Sequence, residues 1–282
     1  MSMNKKSKEA KAQILRCLVE GNSIRSTVRL TGASKNTITK LLVEVGEACS
    51  AYQDKHLVNL KCKRVQVDEI WSFVYSKQKN VPDGMQGAGD VWTWTAIDAD
   101  TKLVPSWYVG SRDLWTARHF IQDLADRMAG RIQLSSDGLK AYIQAVEDAF
   151  GGDIDYGMLV KIYGESVEGQ KRYSPCQCIG AKQHAVYGEP DEKHISTSFV
   201  ERQNLTMRMS MRRFTRLTNA FSKKIENHTR AIALHFMNYN FCRVHKSIKT
   251  TPAIAAGVTN KMWTMEDVVE MTEAYWDEKN SN

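Results

Sequence analysis

Three acids in this chain fall in three different kinds of element. Asp68 interrupts a β-rich run, Val65-Gln66-Val67-Asp68-Glu69-Ile70-Trp71-Ser72-Phe73-Val74-Tyr75. A charged Asp there is costly unless it is paired or holds a metal. Asp137 follows the short apolar-alternating run Ile132 to Ser136 and precedes Gly138. That is where acids of open α/β sheets meet ligands, at the carboxyl end of a strand beside a helix start. Glu201 opens a basic run that holds Arg202, Arg208, Arg212, Arg213, Arg216, Lys223, Lys224 and Arg230. If the three carboxylates converge, they suit two Mg²⁺ ions, or Mn²⁺, since hard cations prefer oxygen ligands. Two such ions serve an in-line phosphodiester displacement. The plain alternative for the Glu201 run is a solvated helix face with local ion pairs.

The elements that must position these acids follow from the hydrophobic pattern. Val65, Val67, Trp71, Phe73 and Tyr75 share one strand face and Asp68 lies on the other. Glu69 is expected to point away from Asp68 and is set aside as a ligand. Val91 to Asp98 and Leu103 to Val109 read as two more strands of an antiparallel meander, with Asp98 and Asp100 in turn roles. Leu114 to Met128 is a helix, Leu139 to Phe150 another, and Tyr156 to Ile162 a fifth strand. Residues 164–193 read as an irregular surface insertion. Val200, Met207, Met211 and Phe214 recur at helical spacing, which places Asn204 and Arg208 on the side of Glu201. Trp71, Trp92 and Trp94 are expected in the core, and His184 and His245 at structural or surface positions.

The N-terminal segment divides into short helices separated by Gly21-Asn22 and Thr31-Gly32. This resembles a helix-turn-helix with its recognition helix at Ser34–Glu44. Ser34, Lys35, Asn36, Thr37 and Lys40 would then face DNA. Any other three-helix unit is the alternative. Residues 53–63 read as a linker, and Met265 to Asp277 as a short acidic helix.

Composition agrees with a polyanionic partner. The 282 residues carry a net charge of +7, with a pI near 9.0. No apolar run approaches a membrane span, and Met1 to Gln13 lacks a signal-peptide core. A cytoplasmic, nucleoid-associated protein is expected. The six cysteines form no CxxC pair; Cys176 and Cys178 with His184 and His194 match no common zinc spacing.

Three blocks carry a resemblance: Val67-Asp68-Glu69-Ile70-Trp71, Ser136-Asp137-Gly138-Leu139-Lys140-Ala141-Tyr142, and Val200-Glu201-Arg202-Gln203-Asn204-Leu205-Thr206-Met207-Arg208. In that order they resemble the catalytic blocks of insertion-sequence-one type DDE transposases, over residues 63–250. The resemblance implies a ribonuclease-H-like domain, a mixed five-stranded sheet with flanking helices, over residues 58–250. A helix-turn-helix domain (1–57) would precede it and a tail (251–282) would follow. It implies Asp68, Asp137 and Glu201 as catalytic metal ligands for two Mg²⁺ ions. Arg202, Asn204 and Arg208 would bind DNA or orient the site, and Arg212 and Arg213 of the basic run would bind DNA. The implied partners are terminal inverted repeats and target DNA, bound by a homodimer or larger assembly. A helix-turn-helix regulator and a nuclease that cannot join strands remain the alternatives.

Overall fold

In the computed structural model, residues 6–164, 178–215 and 218–281 are described. The central element is a mixed six-stranded sheet in the order β3-β2-β1-β4-β5-β6. β1 (Arg64–Val74), β2 (Gly89–Asp98) and β3 (Trp107–Gly110) form the expected antiparallel meander. β4 (Gln133–Ser136) and β5 (Asp155–Tyr163) then add in parallel on the other side of β1. The β1-to-β4 and β4-to-β5 crossovers contain α4 (Leu114–Arg127) and α5 (Ala141–Phe150). Three antiparallel strands followed by two parallel ones give the ribonuclease-H-like arrangement expected from the sequence.

The sixth strand was not expected. β6 (Cys178–Tyr187) lies inside the supposed irregular insertion and pairs antiparallel with β5. Most of its residues are exposed, so it buries too little apolar surface to show a strand pattern in the sequence. Residues 165–177, including Cys176, lie outside the described part. Cys178 is exposed, and the His194 ring nitrogens Nδ1 and Nε2 lie 2.9 and 3.1 Å from Arg64 Nη1. Among the described residues no cluster of metal-ligating side chains forms there.

Two layers sandwich the sheet. Val65, Val67, Trp94 and Ala96 pack on Phe120, Ile121 and Leu124 of α4 and on Tyr142 and Val146 of α5. On the opposite face, Ile70 and Ile97 pack on Val200 and Met207 of α6 (Ser198–Ser210) and on Ile232 and Phe236 of α7 (Ile225–Met237). A π-turn at Asn238–Cys242 ends α7 and buries Asn240, whose amide both accepts from and donates to the Val104 backbone at 3.0 and 2.9 Å.

α1 (Lys8–Val19), α2 (Ile24–Thr31) and α3 (Lys35–His56) form the N-terminal region. Each start is capped by a serine, Ser7, Ser23 or Ser34, whose hydroxyl accepts a backbone N–H three residues on. Gly32, in the left-handed region, ends α2. α3 is twice the length of the expected recognition helix and absorbs the first part of the supposed linker. Its buried face does not stop at Val45, because Ala48, Cys49 and the polar Gln53 are buried too. One core joins α1 and α3 to α7, α8 (Pro252–Ala255) and α9 (Met265–Ser281). The acids of α9 meet the basic residues of α1: Lys8–Glu270, Lys11–Glu273 and Arg16–Glu266, at 2.5–2.6 Å. The helix of the tail runs past the expected end at Asp277 and packs against the N-terminal helices. No helix among the described residues is long and apolar enough to cross a membrane.

Candidate active site

Register brings the first two acids together. β1 pairs in parallel with β4 through Gln66↔Ser135. Two residues further on, Asp68 and Asp137 therefore fall opposite each other where the strands part. Asp137 stays just past β4 because its carboxylate accepts the Leu139 N–H at 2.9 Å, closing the turn into α5.

Strand alternation fixes what surrounds Asp68. Even-numbered residues of β1 face α6 and α7. Gln66 accepts the Phe199 and Val200 N–H groups at 2.8 and 3.2 Å and so caps α6, which lacks a side-chain cap of its own. Two residues on, Asp68 accepts from the Asn204 amide at 2.8 Å. Asn204 is buried, 8% exposed, and of the two roles expected for it, contacting DNA or orienting the site, this hydrogen bond serves the second. Among the described residues its buried amide oxygen has no hydrogen-bond partner. Ser72, further along this face, meets His228, which also contacts Ser222.

Glu69 departs from expectation. It does leave β1 on the opposite face, where Arg112 Nε donates to it at 2.6 Å and the Tyr142 hydroxyl at 3.0 Å. Its side chain nevertheless reaches the strand end. One carboxylate oxygen from each of Asp68, Glu69 and Asp137 lies within 4.8 Å of the others. Arg112 spans the group, its Nη2 being 3.9 Å from Asp137. Alternation says which face a Cβ leaves from, not where a three-bond side chain ends. No local signal marked Glu69, since Tyr142 and Arg112 reach it from 73 and 43 residues away along the chain.

Burial and mutual repulsion act on these acids. Loss of solvent, then the charges of Glu69 and Asp137, push the Asp68 carboxyl up to about 7. Glu69 is raised by burial and by Asp137, against the pull of Arg112. An all-oxygen, crowded acid cluster fits a hard divalent cation. Two ligands of one Mg²⁺ are at most about 4.2 Å apart, so small rotations would bring these oxygens into range.

Glu201 is not in that group. α6 presents it beside β5, where Lys161 Nζ and the Thr197 hydroxyl each sit 2.5 Å from Oε1. Its charge still reaches Asp68, as the weakest of the named influences. The cations split similarly. Arg202 and Arg212 are exposed, and Arg208 is half-buried. Arg213 points inward onto the Ser222 hydroxyl at 2.9 Å, and burial lowers it to about 10. Arg216 lies outside the described residues. At the N-terminus Lys35, Asn36 and Lys40 are exposed, whereas the Ser34 and Thr37 hydroxyls bond each other at 2.9 Å at the start of α3.

The cluster makes a stability prediction. With its folded-state pKa above the unfolded value near 3.9, Asp68 binds more protons in the folded protein than in the unfolded one between pH ~4 and ~7. Its contribution is fully favourable below pH ~4 and is lost as pH rises through ~7. In metal-free protein at pH 8, Asp68→Asn is expected to stabilise the fold by about a few kcal/mol at most, read as a higher Tm, since each pKa unit is about 1.4 kcal/mol. The gain should shrink towards pH 4. A Tm gain independent of pH would show that the Asp68 charge is not strained.

No family model matches the chain, and no curated protein matches it. Among solved structures it is similar to the piggyBac transposase synaptic complex with hairpin DNA, at 9% identity and a TM-score of 0.41, over all of this chain and 76% of that one. It is also similar to the Mos1 strand transfer complex, at 10% identity and a TM-score of 0.25, over 85% and 79% of the two chains. Both likenesses are weak, and the fold assignment stands on the strand order.

Proposed function

We propose that this protein is a transposase that cuts DNA at the ends of an insertion sequence and joins the freed 3′-OH to target DNA. The observation that carries this reading is the convergence of Asp68, Glu69 and Asp137 at the parting of β1 and β4. Asp68 and Asp137 would hold Mg²⁺ or Mn²⁺, and Glu201 would complete a second site after exchanging Lys161 for the ion. The bound ions would supply charge for the attacking and leaving oxygens of an in-line displacement.

The chain's own residues have separable tasks. Asn204 fixes the Asp68 carboxylate, and Gln66 fixes the helix that carries Asn204 and Glu201. Arg112 balances the buried Glu69 charge. In the first step water attacks a phosphodiester, a P–O bond forms, and the 3′-oxygen leaves as a hydroxyl. In the second that hydroxyl attacks a target phosphodiester. One P–O bond forms as one breaks, so no external energy source is needed. Exposed Arg202 and Arg212, with Lys35 and Lys40 of the helix-turn-helix, would neutralise phosphates of the terminal repeats and target, and Asn36 would hydrogen-bond to the DNA. Pairing two ends calls for a dimer or larger assembly on DNA.

Strand transfer by the full chain on labelled fragments carrying the element ends tests the proposal, in Mg²⁺ and in EDTA. Metal-dependent joined products are expected. Nicking without joining would indicate a nuclease. Tight binding without cleavage in Mg²⁺ or Mn²⁺ would leave a DNA-binding regulator.

A further inference from the structure

The face of β1 that carries Glu69 continues with Trp71 and Phe73, one residue every ~6.8 Å, and Tyr75 follows just past the strand end. Up to Glu69 this face is covered: its cross-strand partner Trp94 is fully buried against Phe120 and Tyr142. One rung beyond, the paired Trp71 and Trp92 are only half-buried, as is Phe73, and Tyr75 is 43% exposed. These tryptophans are thus not the core residues their alternation suggests. The band continues across chains of contact, Trp71 to Phe73 at 5.7 Å and Phe73 to Phe221 at 4.9 Å between ring centres. The loop carrying Phe221 is held to the end of β1 by the Tyr75 N–H donating to the Ser222 carbonyl at 2.8 Å.

Cations line the same band. The Arg112 guanidinium lies 5.0 Å from the Trp92 ring, Lys77 Nζ 5.8 Å from Trp71, and Lys223 Nζ 4.9 Å from Phe221 and 6.0 Å from Tyr75. Half-open aromatic rings interleaved with flexible cations have one well-matched ligand: unpaired nucleotides, whose bases stack on the rings while their phosphates take the ammonium groups. A closed duplex offers phosphates but keeps its base faces covered. An acidic peptide would satisfy the lysines and leave the rings unused.

We propose that Trp71, Phe73 and Phe221, with Lys77 and Lys223, form a stacking track for unpaired nucleotides that leads away from the carboxylate cluster. It begins one same-face residue beyond Glu69, so a strand whose phosphodiester sits at Asp68 and Asp137 runs directly onto it. This rests on the transposase reading for its biological setting, but the binding itself needs no chemistry. The track would hold single-stranded DNA next to the cut.

The test is binding by the full chain in EDTA, where cleavage is blocked. Blunt duplex is compared with the same duplex bearing a short unpaired tail, 3′ or 5′, that contains 2-aminopurine. A tail is expected to tighten binding about tenfold and to quench the 2-aminopurine, given the worth of one or two stacked bases. Trp71→Ala with Phe221→Ala should remove both effects and leave blunt-duplex affinity unchanged. Lys77→Gln with Lys223→Gln, which leaves every ring in place, should weaken tailed binding and keep partial quenching. Equal affinity for blunt and tailed DNA, or a tail preference that survives the aromatic substitutions, overturns the track. Neither result touches the transposase reading, which fails separately if strand transfer fails.

Discussion

Asp137→Asn is expected to lower strand transfer on the order of a thousandfold or more, equivalent to ~4 kcal/mol of transition-state stabilisation. The substitution is close to isosteric. The amide oxygen can still accept the Leu139 N–H that closes the turn after β4, so the start of α5 should be preserved. What disappears is one negative charge from the cluster, and with it affinity for a divalent cation. DNA binding in EDTA should be unchanged or slightly stronger. Comparison with Glu201→Gln and Glu69→Gln then identifies the third ligand. If the acids act as Asp68, Asp137 and Glu201, Glu201→Gln should match Asp137→Asn, while Glu69→Gln costs about ten- to a hundredfold by disturbing the Arg112 and Tyr142 contacts. The reverse order would make Glu69 the ligand and Glu201 a partner of Lys161. Full activity in Asp137→Asn would falsify any role for the cluster in the chemistry.

What the chain reveals before folding is uneven, for physical reasons. The meander, Asp68 within it and Asp137 after β4 were legible because one-faced strands and an Asp-Gly turn leave local patterns. The pairing of Asp68 with Asp137 follows only from the parallel register, a long-range fact. Glu69 was set aside on a rule about strand faces that does not govern where a long side chain ends. Glu201 was read correctly as a helix residue, but it was expected to converge with Asp68 and Asp137 and lies outside their cluster, and nothing local announced Lys161, which arrives from β5. β6 was missed since a solvent-facing edge strand need not alternate. The length of α3 was missed because its second half is packed by α7 and α9, both far along the chain.

Gly46 is where that packing is most sharply tested. It lies mid-way along α3, where replacing Gly by Ala normally adds up to ~1 kcal/mol of helix stability. Here a Cβ would stand 2.4 Å from the Arg230 carbonyl oxygen and 2.5 Å from the Arg230 Cβ, both on α7. One of these is backbone, so relief requires α3 and α7 to separate. Overpacking of this kind costs typically ~1–3 kcal/mol, which outweighs the propensity gain. The cost should spread, because Arg230 also pairs with Glu47 at 3.1 Å and Glu47 holds Lys279 of α9 at 2.6 Å. Gly46→Ala is therefore expected to lower the urea midpoint and Tm of the whole protein in one transition. Gly152→Ala, with no atom within 4 Å of the added Cβ, should leave them nearly unchanged. If Gly46→Ala were neutral, or if it melted the N-terminal helices separately from the sheet, α3 would be a loosely attached DNA-binding unit. A single cooperative loss would instead make α3 a structural wall of the α6–α7 layer, so that DNA held at Lys35, Asn36 and Lys40 is fixed relative to Asp68.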